Sequence, residues 1–129
     1  MVQYRMQKSG EDYLEAVLAL SEEHDKVRIT DVAHKLGVSK PSVTRAMRNL
    51  SDGGYIEQEA YGDIKLTEKG RIKAAQVYFR HKTLTTFLHE ILGVDAEVAE
   101  ADACLIEHDI SNETMEKLAI FMRKLEEQD

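Results

Sequence analysis

The chain has 129 residues, with 17 Lys/Arg against 24 Asp/Glu for a net charge of −7, one Pro, seven Gly and one Cys, enough for one compact unit or two small ones sharing a core. No apolar run approaches the roughly 18 residues that span a bilayer, the opening MVQYRMQKSGED lacks the apolar segment of a secretory signal, and a lone Cys104 forms no internal disulfide. Membrane-spanning, secreted and disulfide-stapled classes are therefore excluded, and the expectation is a cytoplasmic protein.

The first predicted element is a helix from about Gly10 to Glu23, with Tyr13, Leu14, Val17, Leu18 and Leu20 at helical spacing. Ser9 is its expected N-cap, with Glu11 and Asp12 in the dipole-favoured first turn. Val27-Arg28-Ile29 reads as a short extended piece. Thr30 is expected to cap a short helix that carries Val32, Ala33 and Leu36 and ends at Gly37. Ser39 caps the next helix, Pro41 falls in its first turn, and Val43, Ala46, Met47 and Leu50 form its apolar stripe. Residues 55–59 and 64–66 flank Ala60-Tyr61-Gly62-Asp63 and read as a β-hairpin. Thr67 opens a long helix through about Ile91, which Gly93 ends. Asp95 caps a helix to about Asp109, and Ser111 caps the last one.

Helix, short helix, turn, helix and hairpin in that order is the winged helix–turn–helix pattern. The expected fold is mainly α: a winged helix–turn–helix DNA-binding domain with a small hairpin wing over residues 1–75, and a helical metal-binding and dimerisation domain over 76–129. The charge follows the same division. Residues 1–75 hold 12 basic and 12 acidic side chains, so the whole deficit lies in 76–129. From His34 to Ser51 no acidic residue occurs, whereas Lys35, Lys40, Arg45 and Arg48 do. Such a stretch can touch phosphates even in an acidic protein, because the contact is local and screened over about 8 Å. A solvated helix face would look the same on charge alone. The second helix of the motif offers Ser39, Lys40, Pro41, Ser42, Thr44, Arg45 and Arg48 as phosphate and base-edge contacts. Tyr61 and Lys65 belong to the expected wing. A winged helix used only as a protein-interaction unit is the plain alternative.

A second constellation lies in the C-terminal half. Cys104, Glu107 and His108 stand at i, i+3 and i+4, on one face of the expected helix. Thiolate, carboxylate and imidazole are a metal-ligand set. Asp12 and Glu15, at i and i+3 on the first helix, and His81 on the long helix could complete it. Taken singly, each piece also has a bland reading: a solvated first turn, a surface histidine, an inert core cysteine.

Several stretches resemble the diphtheria-toxin-repressor and manganese-transport-regulator family: Glu11-Asp12-Tyr13-Leu14-Glu15, Val32 to Thr44, Ile64-Lys65-Leu66-Thr67-Glu68-Lys69-Gly70, Arg80-His81, and Ile106-Glu107-His108 followed by Ser111. The resemblance runs over nearly the whole chain. It implies a homodimeric, metal-dependent repressor of the short form, lacking the SH3-like third domain of some members. By motif, Asp12, Glu15, His81, Glu107 and His108 match family ligands. Cys104 stands where iron regulators have Cys and manganese regulators Glu, whereas Asp12 follows the manganese type. Glu100 stands where iron regulators place a histidine of an ancillary site, and Thr85 replaces a carboxylate of that site. The implied cofactor is a divalent transition metal, with Fe²⁺ favoured over Mn²⁺ by a small margin because of the Cys104 thiolate. The implied partners are double-stranded operator DNA and a second copy of the chain, with no membrane. The implied mechanism has the ion clip the first helix to the helices around His81 and Cys104, fixing the spacing of the dimer's two reading heads, with a coupling of about 1–3 kcal/mol. The other readings are a metal-independent or redox-responsive (Cys104) winged-helix regulator, and an enzyme using an open metal position. Against the enzyme, no nucleophile–base pair or Gly-rich cradle is visible.

Overall fold

In a computed structural model, residues 8–59 and 62–128 are described. The chain divides into two compact units, one through Gln76 and one from Val77. The first contains α1 (Lys8–Glu23), α2 (Ile29–Leu36), α3 (Lys40–Asp52), β1 (Ile56–Gln58) and β2 (Ile64–Leu66). Helix α4 (Glu68–Thr86) begins in the first unit and ends in the second, where a π-helical turn (Phe87–Ile91), α5 (Ala96–Ile106) and α6 (Asn112–Glu127) follow.

The apolar periodicity of α1 to α3 is what closes the first core. Leu14 and Val17 from α1, Val32 from α2, and Val43 and Met47 from α3 are fully enclosed, and Ile56 and Ile64 from the strands join them. The helix–turn–helix corner depends on Gly37, whose φ of 66° is a left-handed conformation open to glycine. Its neighbour Val38 donates its N–H back to the Ala33 carbonyl at 3.1 Å. Ser39 caps α3 by accepting from the Ser42 N–H at 3.2 Å.

The strands pair antiparallel with Glu57 opposite Lys65. Asp63, inside the expected turn, is buried, and its Oδ1 accepts from the Val27 N–H at 3.2 Å. The Val27 carbonyl in turn accepts from Ile64 at 2.8 Å. The expected extended piece at 27–29 is thus reduced to Val27, docked on the hairpin, and Arg28, since Ile29 already opens α2. Thr67 caps α4 through Oγ1, which accepts from the Gly70 N–H at 3.0 Å and donates to the Gly54 carbonyl at 2.6 Å. Gly70 is required by close approach: a Cβ there would lie 1.9 Å from the Tyr55 carbonyl oxygen.

Three local expectations are corrected. Helix α1 already includes Lys8 and Ser9, so Ser9 is not its N-cap. Arg28, not Thr30, holds the N-cap position of α2; its N–H donates to Asp31 Oδ2 at 3.0 Å, and Thr30 lies inside the first turn. Helix α5 stops at Ile106 rather than near Asp109. The long helix does reach Ile91, but its last five residues form a π turn.

In the second unit, Leu84, Ala103 and Met115 form the buried centre, with Leu88, Ile110 and Leu118 packed around it. Much apolar surface stays outside: Tyr78, Phe79, Leu105, Ile106, Ile120 and Phe121 are exposed. The apolar stripe of the last two helices is therefore divided, Met115 and Leu118 inward, Leu105 and Phe121 outward. No helix among the described residues is long and apolar enough to cross a membrane.

Candidate metal centre and nucleic-acid interface

The end of α5 decides where the candidate ligands go. Cys104 is on the last helical turn, while Glu107 is the C-cap and His108 lies in the turn beyond it. Glu107 keeps helical torsions and donates its N–H to the Ala103 carbonyl at 2.9 Å, so it holds the helical register with Cys104, and His108 follows in the turn. Glu107 and His108 face inward. Both are buried, whereas Cys104 is exposed.

His81, from α4, is the hub. Its Nδ1 lies 2.7 Å from Glu107 Oε2, and its Nε2 lies 2.6 Å from Glu100 Oε1. Cys104 Sγ is 3.8 Å from the same Nδ1. Glu107 Oε1 is also 3.3 Å from His108 Nε2, so the buried carboxylate sits between two imidazoles. Donor atoms of His81, Glu100 and Cys104 all fall within 4.8 Å of one another. Burial disfavours a charged His81 ring, but the hydrogen bonds and charges of Glu100 and Glu107 outweigh it and hold its pKa above the ordinary histidine value.

Sequence reasoning missed what fixes Glu107. Arg80, beside His81, donates from Nη1 to the Glu107 carbonyl at 3.1 Å and from Nη2 to Asn112 Oδ1. One guanidinium thus ties α4 to the start of α6 and to the end of α5, where helix carbonyls lack partners. The Arg80-His81 pairing was the visible signal, but charge alone gave Arg80 no target. Thr85 is no ligand substitute in this geometry: its hydroxyl donates to the His81 carbonyl at 2.8 Å.

An imidazole, a thiol and carboxylates brought together on one side of a small helical unit fit a divalent first-row transition ion, which takes mixed N, O and S donors. Asp12 and Glu15 are partly buried on α1 of the first unit. Their neighbour Glu11, expected only to complement the helix dipole, is buried and paired with Lys73 Nζ at 3.3 Å.

In the first unit, the acid-free helix α3 presents Ser39, Lys40, Pro41, Thr44, Arg45 and Arg48 to solvent, with Ser42 half-buried. The hydroxyls are partly committed: Ser39 and Ser42 oxygens are 2.8 Å apart, and Thr44 Oγ1 donates to the Lys40 carbonyl at 3.0 Å. Lys40, Arg45 and Arg48 make no ion pair with another described residue. Lys65 does, reaching Glu59 across the wing at 3.0 Å. Tyr61 lies outside the described residues.

Two family matches cover the chain. Residues 5–64 match the N-terminal DNA-binding domain of the iron-dependent repressors, and residues 67–129 match their metal-binding and dimerisation domain. An HTH-type transcriptional regulator of Methanocaldococcus jannaschii is 39% identical over 95% of this chain and 98% of its own. The HTH-type transcriptional regulator MntR of Bacillus subtilis is 35% identical over 94% of this chain and 84% of its own. Among solved structures, the manganese regulator SloR superposes with a TM-score of 0.80 at 30% identity, over 92% of this chain. The chain spans about half the length of that structure (55%). The winged helix with its hairpin and the helical second unit are the fold of these regulators. The chain belongs to the iron-dependent repressor family of metal-dependent, DNA-binding transcriptional regulators.

Proposed function

We propose that this regulator is a homodimeric repressor that binds operator DNA with Fe²⁺ or Mn²⁺ as corepressor, lowering expression of metal-uptake genes when the ion is plentiful. The observation that carries this reading is the His81 hub, where a buried Glu107 carboxylate and the Cys104 thiol converge on one imidazole nitrogen. The proposed ligands are His81, Cys104, Glu107 and His108, with Asp12 and Glu15 added on the strength of their sequence motif.

When bound, a divalent ion supplies positive charge and a fixed coordination geometry to these donors. The chain does the rest. Arg80 holds the Glu107 backbone, and Glu107 keeps both imidazoles beside it. Helix α3 offers Lys40, Arg45 and Arg48 for phosphates and base edges, with Ser39, Pro41, Ser42 and Thr44 around them, and the wing offers Tyr61 and Lys65. The exposed Leu105 and Phe121 supply apolar surface for a two-fold interface.

A thiolate ligand favours Fe²⁺ over the harder Mn²⁺. The Mn²⁺ reading has its own support, because SloR is named a manganese regulator. The experiment is a DNA-binding titration of wild type and His108→Ala against a fragment upstream of the chain's own gene or a neighbouring metal-transport gene. Each is run anaerobically with EDTA, Mn²⁺ and Fe²⁺. Wild type tightens with metal and the variant stays weak; the ion giving the larger effect is the corepressor. Equal affinity in all conditions removes the proposal and leaves a metal-independent regulator. Retained metal response in Cys104→Ser with lost peroxide sensitivity would move the switch to thiol oxidation.

A further inference from the structure

Glu11 is a buried carboxylate outside the proposed ligand set. It lies in the first turn of α1, directly before Asp12 and one helical turn before Glu15, so three of five consecutive residues are acidic. Like charges at that spacing oppose one another along a helix, and a carboxylate out of water needs a cation beside it. Lys73 supplies one: its Nζ is 3.3 Å from Glu11 Oε2, with 27% of the lysine side chain exposed against 6% for the glutamate. Lys73 is on α4, two turns before His81, and Ala74, Val77 and Leu84 bury the same stripe of that helix. A single ion pair thus joins α1, which bears Asp12 and Glu15, to α4, which bears His81.

We propose that the Glu11–Lys73 pair is a metal-independent clip: the Lys73 ammonium holds α1 on α4 in the metal-free protein, does part of the work of the corepressor ion, and limits how much the ion adds to DNA affinity. The ammonium meets the charge of Glu11, which leaves Asp12 and Glu15 as the α1 donors for the ion. A contact that favours the DNA-competent arrangement before the ion arrives raises metal-free affinity. It leaves less for the ion to shift, because an ion acts only through its differential affinity for the two arrangements. It also strengthens apparent metal binding, since the ion sees only the competent fraction of chains. An exposed pair would carry little of this, but the carboxylate end here is out of water, where loss of the partner cation is costly. This clip rests on the metal-corepressor reading and tunes its response.

The test uses the full-length chain in three forms: wild type, Glu11→Gln/Lys73→Met, which neutralises both partners together and leaves the net charge unchanged, and Lys73→Arg, which keeps the pair. DNA affinity is measured on the fragment upstream of the chain's own gene, anaerobically, in EDTA and at saturating Mn²⁺ and Fe²⁺, at a temperature where urea melts show every variant folded. Affinity for each ion is measured without DNA. The double variant loses about 5-fold in metal-free DNA affinity, the scale of a partly exposed ion pair. It binds as wild type does at saturating ion, so its metal-induced gain grows by the same factor. Its apparent affinity for the ion weakens by a similar factor. Lys73→Arg behaves as wild type. Equal losses with and without ion would place the pair in the DNA-reading fold alone, and unchanged metal-free DNA affinity would remove the clip; either result overturns the proposal and leaves the metal reading intact. No gain in wild-type DNA affinity from either ion would overturn that reading, and the clip with it.

Discussion

The Glu107 carboxylate lies 2.7 Å from Nδ1 of His81 and, through its other oxygen, 3.3 Å from Nε2 of His108, with 2% of the side chain exposed. A buried carboxylate between two imidazoles is stable in either of two ways, by a protonated partner or by a cation. Glu107→Ala should therefore cost the metal-dependent part of stability far more than the metal-free part. With the ion at about 100 times its Kd, linkage gives wild type about 2.7 kcal/mol of added stability. In Glu107→Ala most of that increment disappears. Thermal melts in EDTA and with saturating Mn²⁺ or Fe²⁺ check it; an undiminished metal-induced shift in the variant would remove Glu107 from the ligand set.

The same pair sets a pH dependence in the metal-free protein. Burial pushes the His81 pKa down, but Glu100 and Glu107 push it up by more, so the folded value is above the ordinary 6.5. A raised folded pKa means that the contribution is fully present below about 6.5 and fades as pH climbs through the folded value. Melting temperature in EDTA should fall over that interval by more in wild type than in His81→Asn. Ion binding needs the ring nitrogen deprotonated, so metal affinity moves the opposite way, rising with pH. Parallel melting curves for the two proteins would show that His81 carries no such linkage.

Much of the fold was legible because its signals are local and periodic. Val43, Met47 and Leu50 recur at helical spacing, Gly37 and Ser39 are unambiguous boundary residues, and the hairpin changes the period to two. Individual candidate ligands stood out by residue type. What the sequence did not disclose depends on contacts far apart in the chain: Asp63 capping Val27, Glu11 pairing with Lys73, and Arg80 tying Glu107 to Asn112. Asp63 was hidden by its residue type, since Asp beside Gly reads as turn chemistry whether or not its side chain is buried. The grouping within the candidate site was legible only in part. A helical wheel continued through Glu107 aligns it with Cys104, as the backbone does, but it does not show that Glu107 is buried and Cys104 exposed.

Gly70 gives a stability prediction for the wing. It sits in the first turn of α4, where its N–H donates to Thr67 Oγ1 and a Cβ would meet the Tyr55 carbonyl at 1.9 Å. That carbonyl also accepts from the Thr67 N–H at 3.1 Å, so moving it aside breaks the link from wing to helix. Ordinarily Gly→Ala inside a helix stabilises by roughly 0.5–1 kcal/mol. Here the sign should reverse, with a loss of about 1–3 kcal/mol from overpacking. Urea denaturation of Gly70→Ala would measure it, and unchanged or higher stability would show that the wing can yield at no cost.

Helix α3 makes the last prediction, because its basic side chains are exposed and make no ion pair with another described residue, whereas Lys65 on the wing is paired with Glu59. A cation already paired must give up its partner to reach a phosphate, so the net gain from Lys65 is smaller than from Arg45 or Arg48. Removing one phosphate contact lowers the slope of log affinity against log salt by about 1 and weakens all sequences alike, whereas removing a bidentate base contact costs about 1–3 kcal/mol only on the specific site. Arg48→Ala and Arg45→Ala should each show one of these two signatures, and Lys65→Ala should show a smaller version of the first. The measurement is fluorescence anisotropy on operator and scrambled duplexes across a salt series, with metal held saturating. If Lys65→Ala weakens binding as much as the two arginine variants do, the Glu59 pair opens freely on DNA and the wing contributes to affinity on equal terms with α3.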